Sequence, residues 1–339
     1  MSGPGSVLAV HAVDSPGGAE VSILRLFGEL AERGWTLGQS TPSGEGPMVR
    51  PGVEHDRLDV GGLGAREGAR AVASFPRARR LGARWDIVYL NSTVCGRLLP
   101  ALRGARTVLH VHDIVDRVPR HWANADLVLA DSQAVADRLG ELSAQVVYCP
   151  VDLDPPPAPR PWPDDGRPVV GYVGRIEPRK GALDLIAAAP EIRERLPGAR
   201  IVLVGGDPYD SAPDYLAAVR ASTEVDHLDW VENAPGLMRH LDVLVSPSHQ
   251  EPFGTVLSEA MAVGTRVVAT RVGGLAEVVE EGVTGLLVEP ERPEALAEAV
   301  ARVHADRTAM GAAGRAAARR FGACAYADRV EPLLRGLLP

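Results

Sequence analysis

Short apolar, β-branched runs alternate with helical patterns along this 339-residue chain, and the alternation breaks only once, at a run of prolines. Strands are expected at Val7–Ala12, Ile87–Leu90, Thr107–Val111, Leu127–Ala130 and Val146–Cys149. Helical stretches lie between them, such as Glu20–Arg33 with Val21, Leu24 and Leu30 on one stripe. Eight prolines then fall between Pro150 and Pro168, in a stretch that can be neither strand nor regular helix. Alternation resumes with Pro168–Val173, Ile201–Val204, Val243–Val245, Val267–Ala269 and Leu286–Val288, followed by a helical tail from Glu294 to Leu338. Continuous apolar strands separated by helices imply parallel sheets covered on both faces. The expected fold is therefore α/β, with two doubly wound Rossmann-like domains. Residues 1–150 form the first and 168–320 the second. Residues 151–167 are a stiff Pro-rich linker, and a final helix in 321–339 packs back toward the first domain. Facing strand ends would form a central cleft, where such sheets bind ligands.

Composition narrows the function classes. Net charge is −8, which does not favour nucleic acid or an anionic lipid surface. No apolar run approaches the ~18 residues of a membrane span, and the N-terminus reads as a first strand, not an export signal. Cys95, Cys149 and Cys324 are scattered and odd in number, a pattern expected in a reducing cytoplasm. There is no G-x-S-x-G, HExxH, CxxC or P-loop.

Every Lys/Arg position is arginine except one, Lys180. It lies in "GYVGRIEPRKG", Gly171–Gly181, a strand running through a glycine turn into a helix. Gly174 permits close backbone approach, and Arg175 and Lys180 at a strand's C-terminal end can clamp a diphosphate. A surface loop with solvated charges is the blander alternative.

"SHQEPFGTVLSEA", residues 248–260, follows the Val243–Val245 strand and places Glu251 and Glu259 eight positions apart. Gly254 would open a helix, and the free N–H groups at Gly254, Thr255 and Val256 suit an anion or hydroxyl. Glu251 falls in the loop and Glu259 inside the helix, so the two are displaced along one ligand and do not form an acid/base dyad. An acidic helix start, worth about 0.3–1 kcal/mol, explains Glu251 tolerably and Glu259 poorly. Gly273-Gly274 with Glu277 is either a further loop on the same edge or a plain turn. Gly17-Gly18 opens the first helix without the spacing of a dinucleotide fingerprint.

His110 and His112 share a side of their strand, with His112 nearer its end. No third ligand has a fixed spacing, so a hydrogen-bonding histidine is preferred to zinc. Asp152-Leu-Asp154 reads as turn residues in preference to a Mg²⁺ pair. Arg66, Arg70, Arg77, Arg79, Arg80 and Arg84 read as a solvated helix face in preference to a membrane or acceptor contact.

Taken together, "GRIEPRKG", "SHQEPFGTVLSEAMAVGTRVVAT" and "GGLAEVVEEGVTGLLVEP" resemble the retaining GT-B glycosyltransferases of family 4, the group 1 glycosyltransferases. Glu251 and Glu259 match that family's E-x7-E motif. The resemblance is strong from about Val169 onward; in residues 1–150 it rests on "GGAE", the His-Asp after a strand, "ADLVLADSQAVADRL" and "CPVDLD". It implies that Arg175 and Lys180 stabilise a departing nucleoside diphosphate, beside Gly174. Glu251 would hold sugar hydroxyls, helped by the backbone at Phe253, Gly254 and Thr255, and Glu259 the ribose. Gly17 and Gly18 would approach the diphosphate, and His112 the sugar and acceptor. The catalytic set is then His112, Arg175, Lys180 and Glu251.

The resemblance would place base recognition near Trp230 and Val231, where "LDWVENAP" lacks the glycine that relatives often carry. The implied co-substrate is a nucleotide sugar, most often a UDP-sugar, with no required cofactor and no metal. The acceptor would be a small natural product or aminocyclitol, or alternatively a lipid-linked glycan that brings the protein to a membrane surface. A two-lobed binding protein and a dinucleotide oxidoreductase are the competing classes.

Overall fold

The computed structural model describes residues 3–50, 52–62, 65–306 and 309–339, without the side chains of Ala65 and Arg66. It divides into two compact units, Met1–Pro150 with Ala323–Pro339, and Val151–Gly322.

The first unit is a seven-stranded sheet in the order β3-β2-β1-β4-β5-β6-β7. The strands are β1 (Ser6–Val10), β2 (Thr36–Thr41), β3 (Glu54–Arg57), β4 (Ile87–Asn91), β5 (Arg106–Val111), β6 (Leu127–Ala130) and β7 (Gln145–Val146), all parallel. Central β1 is apolar along its length because both faces are covered. Val7 and Ala9 pack with Ile23, Leu26 and Leu30 of the Gly18–Glu32 helix, and Leu8 and Val10 with Leu81, Trp85 and Leu98.

Strands β2 and β3 escape an apolar-run reading. In β2, Gln39, Ser40 and Thr41 are fully buried yet polar. Strand β3 is an edge strand of sequence EHDR. Its polarity is answered by the neighbouring basic helix Phe75–Arg84, from which Arg84 reaches Glu54 and Asp56, and Arg77 reaches Asp56.

The C-terminal helix, Ala323–Arg335, buries Tyr326, Ala327, Val330 and Leu334 in the same core as the Gly18–Glu32 helix. Glu331 anchors it, accepting from Arg33 at 2.8 Å and from the Trp35 indole at 3.1 Å. Burial alone would raise the Glu331 pKa; donors from Arg33, Trp35 and Arg335 overcome this and hold it at about 2.

The second unit is a six-stranded parallel sheet in the order β10-β9-β8-β11-β12-β13. Its strands are β8 (Val169–Val173), β9 (Arg200–Val204), β10 (Asp226–Leu228), β11 (Val243–Ser246), β12 (Arg266–Thr270) and β13 (Gly285–Val288). The helices Ala182–Arg195 and Pro293–Ala305 close one face through Leu185, Ala189, Leu296 and Val300. The proline-rich stretch differs from a free linker, because it lies on this unit. Val151 N–H donates to Phe321 O at 2.7 Å, Asn233 Nδ2 to Pro156 O at 2.8 Å, and Trp162 is buried. Extended proline backbone has free carbonyls, and Asn233, Arg239 and His240 bind them. Asp152 closes a turn on the Asp154 amide and Asp154 pairs with Arg239, so the D-x-D pair is structural. Among the described residues no helix is long and apolar enough to cross a membrane.

Candidate active site

In each sheet the strand order reverses beside the first strand of its half: β1 and β4 are neighbours in one unit, β8 and β11 in the other. Loops leaving the C-terminal ends of such neighbours diverge and leave room for a ligand.

In the second unit the loop after β8 carries Gly174, Arg175 and Lys180, and the loop after β11 carries Glu251. Three backbone contacts fix the first loop: Gly174 N–H donates to Val204 O at 3.0 Å, Ile176 N–H to Gly206 O at 2.9 Å, and Lys180 N–H to Glu177 O at 3.0 Å. His249 N–H donates to Arg179 O at 2.8 Å and locks the two loops together. The Lys180 ammonium pairs directly with Glu251 Oε2, and the two side chains are only 18% and 9% exposed. Arg175 contacts Glu177 at 3.3 Å and lies over the Tyr209 ring, which is itself exposed.

Gly254 caps the Thr255–Ala262 helix with φ +104°, and a Cβ there would fall 2.5 Å from Leu275 Cδ2. Glycine is therefore required to turn the chain from Glu251 into that helix. Leu257 and Met261 anchor it in the core, while Thr255, Val256 and Glu259 are half-buried. Phe253 is buried and packs edge-on against Phe321 at 5.4 Å, so only its backbone can serve a ligand. The Gly273-Gly274 loop joins this edge: Gly274 N–H donates to Glu251 O at 3.0 Å. Val231 is half-buried, three residues beyond β10, and Trp230 beside it is exposed.

In the first unit Gly17 caps the Gly18–Glu32 helix, and its N–H is taken by the Glu20 carboxylate at 3.0 Å. Gly18 is open: a Cβ there would meet nothing within 4 Å. His112, just past β5, donates from Nδ1 to Asp131 at 2.9 Å and from Nε2 to Asn91 Oδ1 at 2.9 Å. His110 stacks on it at 3.9 Å, with Nδ1 2.7 Å from the Tyr89 hydroxyl and Nε2 2.8 Å from Asp131 Oδ1. Burial opposes charge on His112, but the Asp131 carboxylate outweighs it and raises the pKa above the ordinary value. Burial and the neighbouring His112 push His110 down to about 4. Against its own burial, Asp131 is held well below the carboxylate range by the two imidazoles. Asn91 and Asp131 carry no sequence signal of their own. Asn91 ends β4 and Asp131 follows β6, and only the alignment of β4, β5 and β6 brings them to the histidines.

Two Rossmann-like units with loops of this kind define the GT-B class of fold. The structure superposes on Anabaena HepE in complex with UDP and glucose with a TM-score of 0.80, at 23% identity, covering 98% of this chain and all of that one. Residues 16–155 match the model for Glycosyltransferase Family 4, and residues 167–306 that for Glycosyl transferases group 1. The D-inositol 3-phosphate glycosyltransferase of Actinosynnema mirum is 38% identical over 88% of both chains. A Mycobacterium tuberculosis glycogen synthase is 34% identical over 68% of this chain, a match that spans 57% of that enzyme's length. The chain belongs to glycosyltransferase family 4, the group 1 glycosyltransferases.

Proposed function

We propose that this protein transfers a sugar from a nucleotide-sugar donor, a UDP-sugar such as UDP-glucose or UDP-N-acetylglucosamine, to an acceptor hydroxyl with retention of anomeric configuration. The observation that carries this is the Lys180–Glu251 pair at the β8/β11 reversal, beside Arg175 and the glycine-opened helix bearing Glu259. Binding a diphosphate would draw Lys180 toward phosphate, a compact cation for a compact charge, and free the Glu251 carboxylate for sugar hydroxyls. Lys180 and Arg175 then stabilise the negative charge that grows on the leaving diphosphate, an effect typically worth about 10²–10³ in rate for one preorganised group. Gly174 lets the backbone approach, Glu259 holds the ribose, and the segment at Val231 meets the base. The second unit binds the donor, and the first recognises the acceptor through Gly17, Gly18 and His112.

His112 acts here as a fixed charge beside the acceptor, since both its nitrogens are engaged by Asp131 and Asn91 and Asp131 supports its charged form. The acceptor is a small polyol, an aminocyclitol or related natural product. The D-inositol 3-phosphate named for the Actinosynnema relative supports a cyclitol-like acceptor.

Incubation with a panel of nucleotide sugars, reading slow release of nucleoside diphosphate, tests the reading. Release with one donor, accelerated by a cyclitol, is expected; no release and no binding with any donor would sink it. The anomeric configuration of the product, read by NMR, tests retention.

A further inference from the structure

The first unit holds a buried cluster of which glycosyl transfer, as read above, uses only His112. We propose that His110, His112 and Asp131 form a divalent transition-metal site of the zinc type. Their ligand atoms all lie within 4.8 Å of one another. The side chains are 1%, 8% and 5% exposed, so the group is shielded from bulk water.

Each histidine is held as a metal-binding imidazole is usually held. The nitrogen turned away from the cluster meets an oxygen: Nδ1 of His110 the Tyr89 hydroxyl, at 2.7 Å, and Nε2 of His112 the Asn91 carbonyl, at 2.9 Å. Such outer partners fix the ring and leave the other nitrogen's lone pair for the ion. The inward nitrogens, Nε2 of His110 and Nδ1 of His112, flank the two oxygens of Asp131 at 2.8 and 2.9 Å.

One feature points to a ligand specifically. Nε2 of His110 is buried and makes no hydrogen bond, although a carboxylate oxygen is 2.8 Å away, because the two are not aligned for one. If the proton sits on Nδ1, toward Tyr89, a lone pair confronts a carboxylate oxygen. If it sits on Nε2, the buried N–H is misdirected. An ion between the ring and the carboxylate resolves both cases. Two imidazoles and one carboxylate suit zinc, with a fourth position left for water or a ligand oxygen. On binding, Zn²⁺ displaces the proton on Nδ1 of His112, which leaves to solvent, and the Nε2–H to Asn91 stays in place.

The test needs no sugar substrate, so its outcome is separate from that of the glycosyltransferase reading. Chelator-treated full-length protein is titrated with ZnCl₂ by calorimetry and with CoCl₂ by visible absorption. One equivalent per chain and a tetrahedral Co²⁺ spectrum are expected. His110→Gln and Asp131→Asn should abolish both. Tyr89→Phe, which keeps the ring and its packing, should weaken binding by about 10–100-fold through the lost outer partner. No stoichiometric uptake by the wild-type chain overturns the proposal. So does wild-type affinity in both His110→Gln and Asp131→Asn. If either of these fails to fold, wild-type affinity in Tyr89→Phe and His112→Gln does so instead.

Discussion

The two units share one strand order about their reversal points, β3-β2-β1-β4 in one and β10-β9-β8-β11 in the other, yet carry opposite chemistry there. In the second unit the loops hold a partly accessible cation–carboxylate pair, framed by glycines at positive φ such as Gly174, Gly181 and Gly254. In the first, the polar groups are buried in the sheet ends: His110, His112, Asp131 and Asn91 face one another with little exposure. A shared topology thus fixes where a site lies, whereas the side chains decide whether it exchanges partners or holds them. On the proposed function Lys180 leaves Glu251 for a phosphate; His112 cannot easily leave Asp131, since a broken buried pair costs about 3–5 kcal/mol.

The largest expected effect tests the exchangeable side. Lys180→Ala should lower kcat by about 10²–10³-fold with a smaller change in KM, and a drop under threefold would remove Lys180 from the diphosphate role. The same substitution strands the Glu251 carboxylate, so a stability loss of about 1–3 kcal/mol should appear in urea melts. Lys180→Arg should keep the stability without restoring the rate, because a planar guanidinium does not replace a compact charge.

The fixed side answers to Asp131→Asn. It removes the charge that supports His112, and a loss of about 3 kcal/mol is expected by denaturant unfolding of metal-free protein. A loss below ~1 kcal/mol would mean that the histidines and Asp131 are not coupled as their distances indicate.

Gly254→Ala probes the glycine frame. A side chain at φ +104°, meeting Leu275, should cost about 1–3 kcal/mol and impair donor affinity; unchanged donor titration would separate the turn from the site.

A subtler effect follows from Glu331. Its pKa is depressed in the fold, so the stability it contributes is present above the ordinary carboxylate value and is lost as pH falls from about 4.5 toward 2. Trp35, which donates to Glu331, should report the loosening of the C-terminal helix by a fluorescence change in that window, and Glu331→Gln should flatten it. The smallest effect is expected at the basic helix: Arg77→Ala breaks an exposed pair with Asp56 and should shift stability by at most about 0.5 kcal/mol.

Much of this was legible residue by residue. Apolar strands covered on both faces leave an unbroken β-branched record, so β1, β4, β5, β6, β8, β9, β11, β12 and β13 could be read from the chain. Strands β2, β3 and β10 could not. The interior of β2 is polar, with Gln39 donating to the Met48 carbonyl, and β3 and β10 are edge strands whose polarity looks like loop. The proline stretch announced a break but not that asparagine, arginine and histidine side chains of the second unit would bind its carbonyls.

The sequence by itself determined the parallel α/β class and the local setting of Lys180, Glu251 and Glu259, because each depends on spacing along a strand, turn or helix. Tertiary structure alone decided partnership. Lys180 and Glu251 are 71 residues apart, and become a pair because β8 and β11 are neighbours. No spacing marks a third polar partner for His110 and His112, because Asp131 follows a different strand, 19 residues beyond His112. Only the lateral hydrogen bonding of β5 to β6 sets them side by side.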